Sequence, residues 1–196
     1  MNYEGLLKSS WDFQKDNIVT YAVATLIAFV GMILIVTIAP LYYGLVHMAV
    51  KGARSQPVEI NDVFEGFRNG NFVRSWVYMI IYLVVVGIAS EIASILGTIV
   101  GIIFIFGMPL LVIKGYGGVD AVKETFELVK TNPVETLVIY IIMAVLYFIG
   151  AIALLIGLLI TVPLFQIFLA KATMEVAGTT ALSEDVSEDA SVTTVA

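Results

Sequence analysis

The sequence predicts an all-α membrane protein of six short transmembrane helices, arranged as three parallel hairpin repeats, each preceded by an amphipathic interfacial helix. Three observations predict it. The chain is 60% hydrophobic and 13% charged, with a mean hydropathy of +0.99, whereas a soluble domain of this size needs more polar surface. The apolar residues gather in three runs, 18–50, 72–113 and 134–170. The ten Lys and Arg residues lie between these runs or at their ends.

A single crossing takes about 20 residues, so each run is too long for one span and fits two short ones. The charges choose between these readings. If each run crossed once, Lys8, Lys15, Lys114, Lys123 and Lys130 would face one side, and Lys51, Arg54, Arg68, Arg74 and Lys171 the other. That even split has no positive-inside bias. Hairpins place all of them on one side, with both termini cytoplasmic. The apolar run after the first residues is far longer than a signal-peptide core, so the first run is expected to persist in the mature protein.

Each run follows a short polar segment, and these segments repeat. Residues 4–17 align with 119–132, which sets Lys8 on Lys123, Trp11 on Phe126, Phe13 on Leu128, Lys15 on Lys130 and Asn17 on Asn132. The middle copy carries Phe67 and Asn71 at the corresponding places. A proline falls late in each unit, at Pro40, Pro109 and Pro163. The predicted membrane domain is therefore 1–176, with repeats at about 1–54, 58–116 and 119–175. Hairpins entering from one side are parallel repeats about an axis along the membrane normal, which predicts a pseudo-threefold bundle.

The three polar segments are amphipathic. Tyr3, Leu6, Leu7, Trp11 and Phe13 share one half of a helix, opposite Glu4, Lys8, Asp12, Lys15 and Asp16. Val119, Val122, Phe126 and Val129 repeat the pattern. Ile60, Val63, Phe64 and Phe67 follow helical spacing after a cap at Asn61 or Asp62. Such helices are expected to lie flat at the cytoplasmic interface, anchored by Trp11, Phe13, Phe64, Phe67 and Phe126. They serve either as a collar setting the depth of the hairpins or as a platform for lipid headgroups or a cytoplasmic protein partner.

Within the second run, Ala89, Ala93, Gly97 and Gly101 recur every four residues as a small-residue stripe. The stripe reads as a packing seam within the subunit, or as the contact of a homo-oligomer; Ala24–Ala28 and 153–157 are weaker cases. Glu91 is the one charge in the middle of a run. It is either a solvated residue at the outer turn or an ion- or proton-binding group. His47, the only histidine, sits with Tyr42 and Tyr43 near the cytoplasmic end of the first run. One histidine without a second ligand is no metal site by spacing; it is an interfacial side chain or a titrating switch. Residues 177–196 hold Glu184, Asp185, Glu188 and Asp189, an acidic stretch expected to be a solvated disordered tail.

No cysteine is present, which removes disulfides, thiolate chemistry and Cys-ligated metals. No phosphate loop, HExxH or GxSxG occurs, and the glycines of residues 114–118 read as a turn rather than a phosphate site. The expectation is a protein that is not an enzyme and uses no cofactor, with membrane lipids as its partners and no nucleic acid.

Residues 40–67 and 109–132 resemble motifs of poorly characterised prokaryotic polytopic membrane proteins related to the membrane domain of glycerophosphoryl diester phosphodiesterases. The first carries a D-x-F-x-G-F-like segment at Asp62, Phe64, Gly66 and Phe67. The second carries an A-x-x-x-S/T-x-x-L-x-x-x-N-like segment at Ala121, Thr125, Leu128 and Asn132. The resemblance implies a multi-pass protein of a prokaryotic cell membrane. The phosphodiesterase chemistry of the fused relatives belongs to a separate soluble domain, so no catalytic residues carry over. The functional expectation is a non-catalytic membrane scaffold or assembly protein; the alternative is a small-molecule or ion translocator. Few polar side chains lie in the hairpins, chiefly Thr20, Thr25, Thr37, Thr98 and Thr161, which argues against a wide hydrophilic pore.

Overall fold

A computed structural model describes residues 1–152 and 154–178. Among them the chain is all-helical: α1 (Tyr3–Asp16), α2 (Ile18–Gly31), α3 (Ile38–Ala53), α4 (Asn71–Ile92), α5 (Ser94–Ile103), α6 (Gly107–Ile113), α7 (Gly118–Thr131), α8 (Pro133–Ile152) and α9 (Leu154–Val176). A short 3-10 turn, Ile35–Thr37, precedes α3, and a 3-10 helix, Ile60–Phe67, precedes α4. The acidic stretch, from residue 179 onward, and Ala153 of the weaker small-residue pair lie outside the described residues.

Each apolar run turns back on itself, and a close approach marks each closure. A Cβ on Gly31 would land on the Leu41 side chain, one on Gly97 on Ser90, and one on Gly150 on Thr161. Within the first pair the Tyr21 hydroxyl donates to the Met48 carbonyl at 3.0 Å. The second pair turns at Ala93, which is extended at φ −162° and ψ 136°.

Five helical stretches are long and apolar enough to cross a bilayer: Ile35–Ala53, Asn71–Ile92, Ser94–Ile113, Pro133–Ile152 and Gly157–Val176. The sixth, α2, has 14 residues, about 21 Å of helix against about 30 Å of hydrocarbon. It falls short of that length because the chain leaves the helix at Met32.

The second helices of the three pairs form the centre. α3, α6 and α9 pack on one another, and each first helix leans on its own partner and on the second helix of the preceding pair: α2 on α9, α4 on α3, α8 on α5. Burial follows this arrangement. The α3 and α9 spans are 61% buried, the α4 and α8 spans 17%. Pro40, Pro109 and Pro163 all lie buried in the central helices.

The polar segments wrap this centre. α1 packs on α9, the 3-10 helix on α3, and α7 on α4, α5 and α6. In the α1 contact with α9, Ser9 meets Lys171 and Gln14 meets Ile160. One expectation changes here. The middle copy is a 3-10 helix rather than an α-helix, capped by Glu59 with Asp62 as the reciprocal partner, not by Asn61 or Asp62. Its tighter winding stacks residues three apart, so Val63 and Gly66 share the buried side. Gly44 lies against the Val63 carbonyl and Gly66 against that of Pro40, so the backbones touch with no room for a Cβ.

The three aligned asparagines occupy the joints. Asn17 Nδ2 donates to the Phe13 carbonyl at 3.0 Å, Asn71 to Glu65 at 2.9 Å, and Asn132 to Leu128 at 3.1 Å. Each bond ties the start of a first helix to the polar segment before it, satisfying a carbonyl that the end of that segment leaves free.

Candidate functional site

The helix after the second turn is interrupted at residues 104–106, between α5 and α6. A break among apolar helices exposes carbonyls that need donors, and two hydroxyls supply them. Tyr78 Oη donates to the Phe104 carbonyl at 2.6 Å, and Thr125 Oγ1 to that of Ile103 at 3.0 Å. The Tyr78 and Tyr82 rings close around Phe104, with centroids 6.1 and 5.6 Å away.

A cavity of about 340 Å³ opens beside this break, lined by Met32, Ile38 and Tyr42 from the first pair, Tyr78, Met79, Tyr82, Gly101, Phe104, Ile105 and Met108 from the second, and Met143 and Leu169 from the third. A second chamber of about 450 Å³ adjoins it, lined by Tyr82, Val86, Ser90, Ser94, Gly97, Thr98, Gly101 and Tyr140. Tyr82 and Gly101 belong to both. The inner chamber is almost wholly apolar, whereas hydroxyls ring the second. The hydroxyls of Tyr42 and Tyr82 have no hydrogen-bond partner among the described residues.

Tyr42 is thus the predicted site residue that reaches the cavity, accompanied by Gly97 and Gly101 of the small-residue stripe. The stripe does not run along one helix. Ala89 lies in the last turn of α4, Ala93 forms the turn, and Gly97 and Gly101 lie on α5, because the chain reverses at Ala93. Gly97 packs on Ser90 across the turn, while a Cβ at Gly101 would meet nothing within 4 Å. Glu91 stands exposed in the last turn of α4, apart from both chambers. His47 is half-buried on α3, with Glu65, Asp62, Lys51 and Arg54 as its charged surroundings.

The anchors divide. Trp11, Phe64, Phe67 and Phe126 are 42, 40, 42 and 52% exposed. Phe13 is half-buried, its ring against Gly52. Phe64, Phe67 and Phe72 form a ladder with centroids 6.4 and 6.3 Å apart. The buried face of α7 is instead Gly118, Ala121, Thr125 and Leu128, the first three small enough to allow a close fit.

Polar joints hold the same end. Lys51 pairs with Asp62 at 2.7 Å and Lys114 with Glu124 at 3.1 Å. Partial burial is the largest single influence and disfavours the Lys114 cation, but the hydrogen bond and charge of Glu124, with Tyr116, together outweigh it and hold its pKa above the usual lysine value. Arg74 donates to the Gly115 carbonyl at 2.6 Å, to Tyr43 Oη at 3.3 Å and to Asn71 Oδ1, tying α4 to α3 and to the α6–α7 loop.

Sequence reasoning missed Tyr78, Tyr82, the cavity methionines, Thr125 as a donor, and the fully buried Ser10 and Gln14. One signal was available: Tyr78 and Tyr82 are four residues apart and so share a helix face. Compared with protein-family models, with curated proteins and with solved structures, the chain matches none.

Proposed function

We propose that this chain is a non-catalytic integral membrane scaffold that holds lipid through its polar collar. In this reading the three hairpins cross the bilayer six times as pseudo-threefold repeats, with both termini on the cytoplasmic side, in the manner of the membrane domain it resembles. The observation that carries the lipid-binding role is the outward placement of the collar's bulkiest apolar side chains. Trp11, Phe64, Phe67 and Phe126 are all exposed in three different segments, whereas a collar bathed in water would bury them first. Aromatic rings are at home at the headgroup level of a bilayer.

The cyclic packing of first helices on preceding second helices, and the three asparagine joints, support the repeat. A second reading, translocation of a small molecule or ion, draws on the central cavity beside Tyr42. The solid packing of Leu45, Val46, Met48, Ala49, Leu110, Leu111, Ile167 and Phe168, each at most 4% exposed, favours the scaffold.

The test uses the Trp76→Phe variant, which leaves Trp11 as the one indole, in vesicles holding lipids brominated near the headgroup. The proposal requires strong quenching of Trp11 and retention of trapped solute. Unquenched emission overturns the lipid-bound collar, and solute leakage favours the translocator.

A further inference from the structure

We propose that the two adjoining chambers form a binding site for one amphiphile with an acyl chain, its tail in the inner chamber and its polar end among Ser90, Ser94, Thr98 and Tyr140. The polarity gradient carries the inference. The inner chamber, about 340 Å³, presents methionine, isoleucine, leucine and ring faces. The outer chamber, about 450 Å³, presents hydroxyls from two serines, a threonine and two tyrosines. Both volumes lie within the range of ligand pockets, about 300–1,000 Å³. Tyr82 and Gly101 line both, so the two spaces meet where the ligand would change from apolar to polar.

The lining is suited to a flexible chain. Methionine is unbranched and polarizable and adapts to irregular apolar partners; Met32, Met79, Met108 and Met143 come from all three helix pairs. Tyr82 is placed at the junction with its hydroxyl unpartnered among the described residues, a donor left for a ligand oxygen. Gly101 keeps the passage open, since a Cβ there meets nothing within 4 Å. The site depends on the fold and not on the collar, so Trp11 quenching and ligand binding can fail separately.

The full chain, stripped of lipid and transferred to an amphipol, is offered oleic acid or dioleoyl phosphatidylglycerol, and bound mass is read by native mass spectrometry. Wild type and Gly87→Leu are expected to retain one probe per chain, because Gly87 has open space but faces neither chamber. Gly101→Leu is expected to retain it at least about tenfold more weakly, a loss of about 1.4 kcal/mol. Met143→Phe, which narrows the inner chamber from the third helix pair, is expected to do the same, and circular dichroism confirms that each variant is folded. Retention of oleic acid alone identifies a free acid as the source, and of the phospholipid alone a bilayer lipid. Failure of wild type to retain either probe, or equal retention by both filling variants, overturns the proposal.

Discussion

Gln14 Nε2 donates to the backbone carbonyl of Ile160 at 2.6 Å, three residues before Pro163. The proline has no N–H for the carbonyl of Leu159, four residues earlier, and its ring crowds that turn, which loosens this stretch of α9 next to the Ile160 carbonyl that takes its donor from α1. Gln14 is fully buried, and its own Oε1 has no partner. Gln14→Ala removes the donor and leaves a void, for an expected loss of about 1–3 kcal/mol. Gln14→Met keeps the volume and removes the orphaned oxygen, so it should cost less. Chemical denaturation of both variants in detergent checks the order, and equal stability of Gln14→Ala and wild type contradicts it.

The same residue shows where the sequence was legible and where it was not. The arc spanned by Tyr3, Leu6, Leu7 and Phe13 has Ser10 and Gln14 at its centre, and those are the two residues α1 buries completely. Hydrophobicity alone moved the stripe toward Trp11, which is exposed. What decides the buried face is a hydrogen bond to a carbonyl 146 residues away in sequence, and no local pattern contains it. The three helix pairs, by contrast, were legible from run length, which also put the second turn near the midpoint of its run, beside Glu91. The cavity was not, since it depends on side chains from all three pairs meeting at the interruption between α5 and α6.

Gly44 and Gly66 set the fit of the 3-10 helix against α3. A methyl group at either position lands on a backbone carbonyl, of Val63 or of Pro40, and backbone cannot swing aside as a side chain can. Gly44→Ala and Gly66→Ala should each lose about 1–3 kcal/mol or more. Gly87→Ala, in open space within α4, should gain about 0.5–1 kcal/mol from better helix propensity. Melting temperatures of the three variants should therefore move in opposite directions.

Tyr78 and Thr125 donate to adjacent carbonyls at one interruption, so their contributions should be coupled. Thr125→Val leaves the Ile103 carbonyl unpaired, at about 1–2 kcal/mol, whereas Tyr78→Phe leaves the Phe104 carbonyl its 3.1 Å bond from the Gly107 N–H and should cost less. Once one hydroxyl is gone the break can relax, so the double variant should differ from the sum by about 0.5 kcal/mol or more. A double-mutant cycle on unfolding free energy reads this directly, and strict additivity would mean that the two hydroxyls act independently.

Membrane orientation is open to a direct test because the chain contains no cysteine. Single cysteines at Met32 and Ser90 fall at or beside the closed ends of the first and second pairs, and those at Gly70 and Gly117 fall in the connections before α4 and α7. Proposed crossings that begin and end on the cytoplasmic side place the first two outside and the last two inside. A membrane-impermeant thiol reagent applied to intact cells should then label Met32→Cys and Ser90→Cys and spare Gly70→Cys and Gly117→Cys. The first pair carries most of the risk, since α2, at 14 residues, is too short to count among the candidate spans and the Trp76 indole, in the second turn of α4, donates to the Val36 carbonyl at 3.0 Å. If Met32→Cys were protected while Ser90→Cys reacted, the first pair would enter the bilayer without crossing it, leaving four spans and breaking the threefold repeat at its first unit.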